Sequence, residues 1–341
     1  MGTPIGEVLD KKPLRLEELN HRRVGVDAFN VIYQFLSSIR GEDGRPLMDP
    51  SGRITSHVSG LFYRTTHWMA MGMQPVFVFD GPPHPLKSAT REKRREIRAQ
   101  ASGELQQARE SEDDRAIEKA AMQAVQLTPE IVEDAKKVLR LLGIPVVQAA
   151  SEGEAQLAVM VEKGDLSFAI SQDYDSLLFG MPRLVRNVAL SGKRKVPGKN
   201  YSFTIEPEII DLAENLNRLK ITRKQLIWMG MLVGTDFNPK VPRVGIKTAL
   251  KKVESATSVN DVFGDFHSTE AFDPLAVEQL FLHPPFSAAY DLTAASPDFD
   301  GLRSFLVRER DFSEERVHAT LEKLHKSLAE KKSQTSLFQW V

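Results

Sequence analysis

Seven carboxylates occupy positions that a simple fold can gather. Val24-Gly-Val-Asp27 and Val76-Phe-Val-Phe-Asp80 each read as a short buried strand ending in an acid, and Phe168-Ala-Ile-Ser-Gln-Asp173-Tyr-Asp175 ends a third in an acidic doublet. Val233-Gly-Thr-Asp236 adds an acid after an apolar helix, and Glu152 and Glu154 follow the strand Ile144–Val147 in Ser151-Glu-Gly-Glu154. A single Asp after a strand is ordinarily a helix cap. Ser151 with Glu154 also fits a capping box, which accounts for Glu154 but not for Glu152. Three acid-ended strands exceed what capping explains. In an open parallel sheet, ligands bind outside the carboxyl ends of the strands, so these acids converge on one rim.

Carboxylates so gathered repel: two about 5 Å apart cost roughly 3 kcal/mol at an effective dielectric of 20. Either some protonate or a cation sits among them. With no cysteine in the chain and no paired histidines, the donors are oxygens, which select Mg²⁺ or Mn²⁺. Two such ions about 4 Å apart are the standard arrangement for phosphodiester hydrolysis, one activating water and the other steadying the leaving oxygen. The acids therefore predict metal-dependent phosphoryl transfer. The absence of cysteine excludes disulfides, Cys-ligated zinc, iron–sulfur clusters and thiol nucleophiles. Gly245-Ile-Lys-Thr248 lacks the upstream glycine of a nucleotide-binding P-loop.

The elements that must position these acids alternate. Strands are expected at Arg23–Val26, Pro75–Phe79, Ile144–Val147 and Phe168–Ile170, and helices at Val31–Ile39, Ser59–Met71, Ile131–Leu142 and Glu154–Lys163. The fold class is α/β, with a mainly parallel central sheet covered by helices. Residues 87–119 carry nearly equal numbers of basic and acidic side chains and no aromatic residue. They fit a solvated helix pair, a geometry that also builds a flexible arch or lid. From about Thr222 the pattern turns helical, at Lys224–Val233 and Thr248–Val253; Ser255–Asp300 is expected to wrap back over the core, and Glu314–Lys331 to form a charged helix. The 341 residues with net charge −1 show no bulk basicity, so a nucleic-acid partner requires local segregation of charge. No apolar run reaches the roughly 18 residues of a membrane span, and no signal peptide is visible, so the chain reads as intracellular and soluble.

These residues together resemble the flap endonuclease family of structure-specific 5′ nucleases. The resemblance spans nearly the whole chain: Met1-Gly2, Val26-Asp27-Ala28-Phe-Asn-Val-Ile-Tyr33, Thr55-Ser56-His57, Val78-Phe79-Asp80-Gly81, Glu152-Gly-Glu154-Ala155-Gln156, Ser171-Gln-Asp173-Tyr-Asp175-Ser176 and Gly234-Thr-Asp236-Phe-Asn238-Pro239. It implies a PIN-like core whose two Mg²⁺ ions (or Mn²⁺) are held by Asp27, Asp80, Glu152, Glu154, Asp173, Asp175 and Asp236, the first four nearer one ion and the last three nearer the other. Lys87 and Arg94 match basic residues at the base of the arch, and Tyr33 a residue that stacks on a nucleobase. Gly2, Thr55, Gly234, Gly245, Lys247, Thr248 and Lys251 match DNA contacts. Asn238–Ala249 resembles a helix–loop–helix that grips duplex DNA, often with K⁺, but Arg243-Val244-Gly245 stands where the family has Gly-x-Gly. Lys193-Arg-Lys195 is either a further contact or an exposed hairpin tip. Gln334, Leu337, Trp340 and Val341 resemble the motif that binds the sliding clamp.

The resemblance divides the chain into 1–86 and 131–221 as the nuclease core, 87–130 as the arch, 222–330 as the DNA-binding region with its C-terminal wrap, and 331–341 as the clamp-binding tail. The implied activity is two-metal-ion hydrolysis at the flap/duplex junction of 5′-flapped DNA, in Okazaki-fragment maturation and repair. A 5′-3′ exonuclease or junction resolvase, and a non-catalytic clamp-bound scaffold, remain as alternatives. The short tail points to a prokaryotic, archaeal protein in the cytoplasm or nucleoid; a eukaryotic one would be nuclear.

Overall fold

The computed structural model describes residues 3–41, 45–110, 126–189, 192–195, 202–264 and 272–338. Strands β1 (Lys12–Pro13) and β2 (Arg23–Asp27) lead into α1 (Ala28–Ser38) and α2 (Ser56–Met71). Strand β3 (Gln74–Phe79) precedes the long charged helix α3 (Ser88–Glu110), and α4 (Pro129–Leu141) returns the chain to β4 (Val146–Gln148). Helix α5 (Gly153–Glu162), β5 (Phe168–Ile170), α6 (Asp175–Leu178) and β6 (Arg183–Arg186) follow. A hairpin of β7 (Gly192–Lys195) and β8 (Ser202–Ile205) then gives way to β9 (Glu208–Asp211). The remaining helices are α7 (Leu212–Leu219), α8 (Arg223–Val233), α9 (Ile246–Glu254), α10 (Val259–Phe263), α11 (Pro274–Leu282), α12 (Phe299–Arg303) and α13 (Glu314–Phe338).

The main sheet runs β1-β9-β6-β5-β2-β3-β4. Strands β6, β5, β2, β3 and β4 are parallel, and β9 and β1 close one edge antiparallel. Side-chain alternation along a strand divides the core between the two faces. On β3, Val76 and Val78 join the apolar cluster beneath α5 and α8, whereas Phe77 and Phe79 join the one beneath α1, α2 and α4. Because the central strands are parallel, Asp27 at the end of β2, Asp80 after β3 and Asp173 after β5 leave the same rim.

Several expected boundaries move for physical reasons. Strand β4 begins at Val146, since Pro145 has no N–H to give the ladder and only accepts, from Phe77 N–H at 3.0 Å. Strands β6 and β9 carry two apolar residues each between charged ones, too few to register as a pattern; pairing in the sheet makes them. Lys193–Lys195 lies in the first strand of the hairpin. Helix α13 continues through Phe338 rather than ending near Lys331, because no Gly or Pro interrupts it.

Two points of the segment after Ser255 are bonded to the core. Ser287 N–H donates to Gln156 Oε1 at 2.7 Å, Gln156 Nε2 donates to the Ser287 carbonyl at 3.1 Å, and Ala295 N–H donates to the Gly143 carbonyl at 2.9 Å. The C-terminal elements are pinned by Arg310, whose guanidinium meets the buried Asp134 carboxylate at 2.9 and 2.5 Å.

Candidate active site

Asp27 caps α1, Oδ1 accepting from Asn30 N–H at 3.0 Å, so the ordinary capping role is real. Its Oδ2 does something else, accepting from the Ser171 hydroxyl at 3.0 Å across the sheet. Asp173 N–H in turn donates to Ser171 Oγ at 3.2 Å, and Asp173 Oδ1 accepts from Asp175 N–H at 3.1 Å. Asp80 caps no helix in its own segment; its Oδ1 accepts from Gly153 N–H, the first of α5, at 2.7 Å. Hydrogen bonds thus tie the end of β2 to that of β5, and the end of β3 to the start of α5.

Gly153 is required at that position. A Cβ there would lie 2.6 Å from Asp80 Oδ1, so only glycine lets the carboxylate rest on the first turn of α5. The expected capping box is not formed: Glu152, not Ser151, is the N-cap, no side chain caps, and Ser151 Oγ makes no hydrogen bond among the described residues. The helix begins one residue late because Asp80 takes its first N–H, which frees Glu154 for the acid cluster.

Burial and mutual repulsion set the charge state. Withdrawal from water, followed by Asp27 and Glu152, pushes Asp80 up to about 7. Burial raises Asp27 to about 6 against the bonds from Asn30 and Ser171. Burial and then Asp173 raise Asp175 to about 7, and Glu154 stands well above the carboxylate range from burial, Asp173, Asp27 and Asp175. Asp173 is raised too, chiefly by desolvation. Metal-free, the rim holds protons at neutral pH that it would release to a cation.

Two basic side chains already lie among these acids. Lys87 Nζ is 2.5 Å from Glu152 Oε2 and 3.2 Å from Asp236 Oδ2, and Arg94 Nη2 is 2.5 Å from Asp236 Oδ1. Burial acts to lower the Lys87 pKa, but Glu152 and Asp236 hold it above its usual value. Lys87 ends a 3₁₀ turn and Arg94 sits on α3, so seven residues bring both to one carboxylate. Asp236 is delivered by a turn after α8: Gly234 ends the helix at φ +94°, and Thr235 Oγ1 donates to Asn238 Oδ1 at 2.7 Å.

The donor set fits hard divalent cations: oxygens only, repelling one another, with protons and ammonium groups in attendance. Among the described residues, no three acidic or histidine side chains are yet drawn into a closed cage. Lys87 holds Glu152 and Asp236 while the positive charge comes from the protein itself.

The other expected residues divide. Tyr33 is half-buried on α1. Gly245 is the N-cap of α9 with open space where a Cβ would stand, and Lys247, Thr248 and Lys251 are exposed on that helix. Arg243 adopts φ +62°, the left-handed region the family's glycine would occupy without strain. Thr55 is 4% exposed at the start of α2, and its N–H donates to the Leu47 carbonyl at 2.7 Å. Gly234 ends α8. Gln334 and Leu337 lie on the last turns of α13, while Gly2, Trp340 and Val341 lie outside the described residues. Sequence reasoning passed over Asn30 and Gly153 as supports of the acids, and used Ser171 only as part of a motif; strand-end polar residues beside the acids were the available signal.

Residues 5–101 match the XPG N-terminal domain and 143–236 the XPG I-region, the two stretches that carry all seven acids. The chain is 48% identical to flap endonuclease 1 of Pyrococcus furiosus over all of this chain and 99% of that one, and 45% identical to that of Archaeoglobus fulgidus over the whole of both. It belongs to the flap endonuclease family. It is accordingly a metal-dependent hydrolase of DNA phosphodiester bonds, of the 5′ flap endonuclease kind. The solved flap endonuclease-1 of Methanococcus jannaschii superposes with a TM-score of 0.76 at 38% identity, covering 97% of this chain and 100% of that one. The catalytic core of Rad2 in complex with DNA substrate shares the fold, with a TM-score of 0.67 at 23% identity over 94% of this chain and 97% of that one.

Proposed function

We propose that the chain cuts 5′-flapped DNA at the junction of single strand and duplex, with two divalent cations held by the seven acids. Asp27, Asp80, Glu152 and Glu154 would hold one cation, and Asp173, Asp175 and Asp236 the other. When bound, such ions lower the pKa of an attacking water and stabilise the leaving oxygen. Lys87 and Arg94 keep the acids' charge in check and face the position where a scissile phosphate would bring negative charge, which they neutralise. Tyr33 stacks on a base beside the cut, worth about 1–3 kcal/mol. The N-terminus of α9, with Lys247, Thr248 and Lys251, holds a duplex phosphate, and the carbonyls of the loop before it are the seat for K⁺. Residues 87–130, of which α3 is described, form the arch over the single strand.

Gln334, Leu337, Trp340 and Val341 dock on a sliding clamp as a short helical turn, which would recruit the enzyme to Okazaki-fragment maturation and repair. No helix among the described residues is long and apolar enough to cross a membrane. The archaeal relatives support reading it as a prokaryotic, cytoplasmic enzyme.

The observation that carries this reading is the meeting of acids from five separate segments around Lys87 and Arg94. End-labelled DNA bearing a 5′ flap, a blocked flap or only a nick, with Mg²⁺ or EDTA, tests it. One Mg²⁺-dependent cut at the junction, lost on blocking, is expected. Mononucleotides released from the nick would make it a 5′ exonuclease, and binding without any cut would make it a scaffold.

A further inference from the structure

The first described residue of the chain is bonded to an acid of the site from far away in sequence. Thr3 N–H donates to Asp175 Oδ1 at 2.9 Å, and the Thr3 hydroxyl donates to the same oxygen at 2.7 Å. Thr3 is 2% exposed and Asp175 3%, so neither bond competes with bulk water. A hydroxyl and an amide converging on one carboxylate oxygen fix its plane and leave Oδ2 as the oxygen Thr3 does not engage.

Each neighbour of Thr3 helps to hold it there. Pro4 restricts the residue before it to extended backbone, and Thr3 has φ −59° and ψ 145°. Ile5 is fully buried and anchors the turn in the core. Gly6 lies against the Tyr174 ring, where a Cβ would meet ring carbons at 2.1 Å. Tyr174 separates Asp173 from Asp175, and its ring is covered by the Arg186 guanidinium 4.0 Å from the centroid. The segment Thr3–Gly6 is therefore clamped onto the Asp173-Tyr174-Asp175 loop itself, with the threonine over the acid.

We propose that Thr3 is a positioning residue: its hydroxyl orients Asp175 so that Oδ2 is presented as a ligand to a divalent cation. The inference rests on the metal-site reading above. A polar group behind a metal-ligating carboxylate fixes the ligand's direction, and loss of such a partner typically costs 10–100-fold in metal affinity or activity. Valine is the fitting replacement at this position because it keeps the shape and the backbone N–H while removing the hydroxyl.

The test reads metal binding without cleavage. Thermal unfolding of the full chain, without DNA, is followed as a function of Mg²⁺ for wild type, Thr3→Val and Thr3→Ser; a ligand that binds the folded state raises the transition as its concentration passes Kd. The expected result is a Thr3→Val midpoint for Mg²⁺ roughly 10-fold or more above wild type, with Thr3→Ser returning to within about 3-fold of it, a hydroxyl being restored. An unchanged Mg²⁺ midpoint in Thr3→Val, whether or not its EDTA transition falls, would overturn the positioning role and leave Thr3 as a structural anchor. Failure of Thr3→Ser to recover would also overturn it, since the hydroxyl is the group invoked. If wild type itself shows no Mg²⁺-dependent rise, the metal-site reading fails first and this inference with it.

Discussion

Replacing Lys87 by methionine keeps the length of the side chain and removes its charge. Lys87 Nζ stands 2.5 Å from Glu152 and 3.2 Å from Asp236, and its side chain is only 16% exposed. At an effective dielectric of 20, those separations correspond to gross attractions of about 7 and 5 kcal/mol. Desolvation of the ammonium offsets most of this, and removing one partner of a buried pair typically costs about 3–5 kcal/mol. We therefore expect Lys87→Met to lose about 3 kcal/mol in EDTA at pH 8.

The loss should shrink in acid. Asp80 and Asp175 are raised to about 7 and Asp27 to about 6, so between roughly pH 4 and pH 7 the folded chain binds more protons than the unfolded one. Metal-free stability consequently falls as pH rises through that window. Lys87 opposes the rise at Asp27, Asp80 and Glu154; without it their values climb further and the fall steepens. At pH 5 the deficit should be about 1 kcal/mol, because protons replace the missing charge. Saturating Mg²⁺ at pH 8 should likewise restore most of the stability, while cleavage stays about 10²–10³-fold down for want of a cation at the phosphate. Urea midpoints at both pH values, with EDTA and with Mg²⁺, and single-turnover cleavage of flapped DNA measure all of this. Equal deficits under every condition would refute the argument and reduce Lys87 to its packing over the Phe237 ring, 5.7 Å from the centroid.

Other perturbations separate the parts of the site. Asp173→Ala should abolish cleavage while flap binding, measured in Ca²⁺ by fluorescence anisotropy, stays largely intact; parallel loss of both would count against its place as a metal ligand. Gly153→Ala puts a methyl 2.6 Å from Asp80 Oδ1. The carboxylate must turn away while the helix persists, so cleavage should fall about 10–100-fold with the thermal transition nearly unmoved. Arg243→Gly removes left-handed strain of about 1–2 kcal/mol and adds unfolded-state entropy worth about 0.4–1 kcal/mol. Denaturant titration should show a small net gain, and the salt slope of flap binding should drop by about 1 if this arginine meets a phosphate.

The central strands, the helices that follow them and the rim on which Asp27, Asp80 and Asp173 emerge were legible in the chain, because a buried parallel strand is a short apolar run and its carboxyl end is marked by the first polar residue after it. Composition excluded thiol chemistry, and hard-cation chemistry followed from the acids alone. Local signals misled where tertiary partners compete for the same atoms. Ser151 and Glu154 have the spacing of a capping box, yet Asp80, far away in sequence, takes the first helical N–H and the box does not form. Strands β6 and β9 exist because each completes the other's ladder. What only the fold decided is which oxygen of each acid is engaged: Ser171 on Asp27, Gly153 on Asp80, Thr3 on Asp175. Spacing along a chain fixes which face of an element a side chain occupies; the direction of a carboxylate depends on donors that arrive from other segments, and those are paired only when the sheet closes.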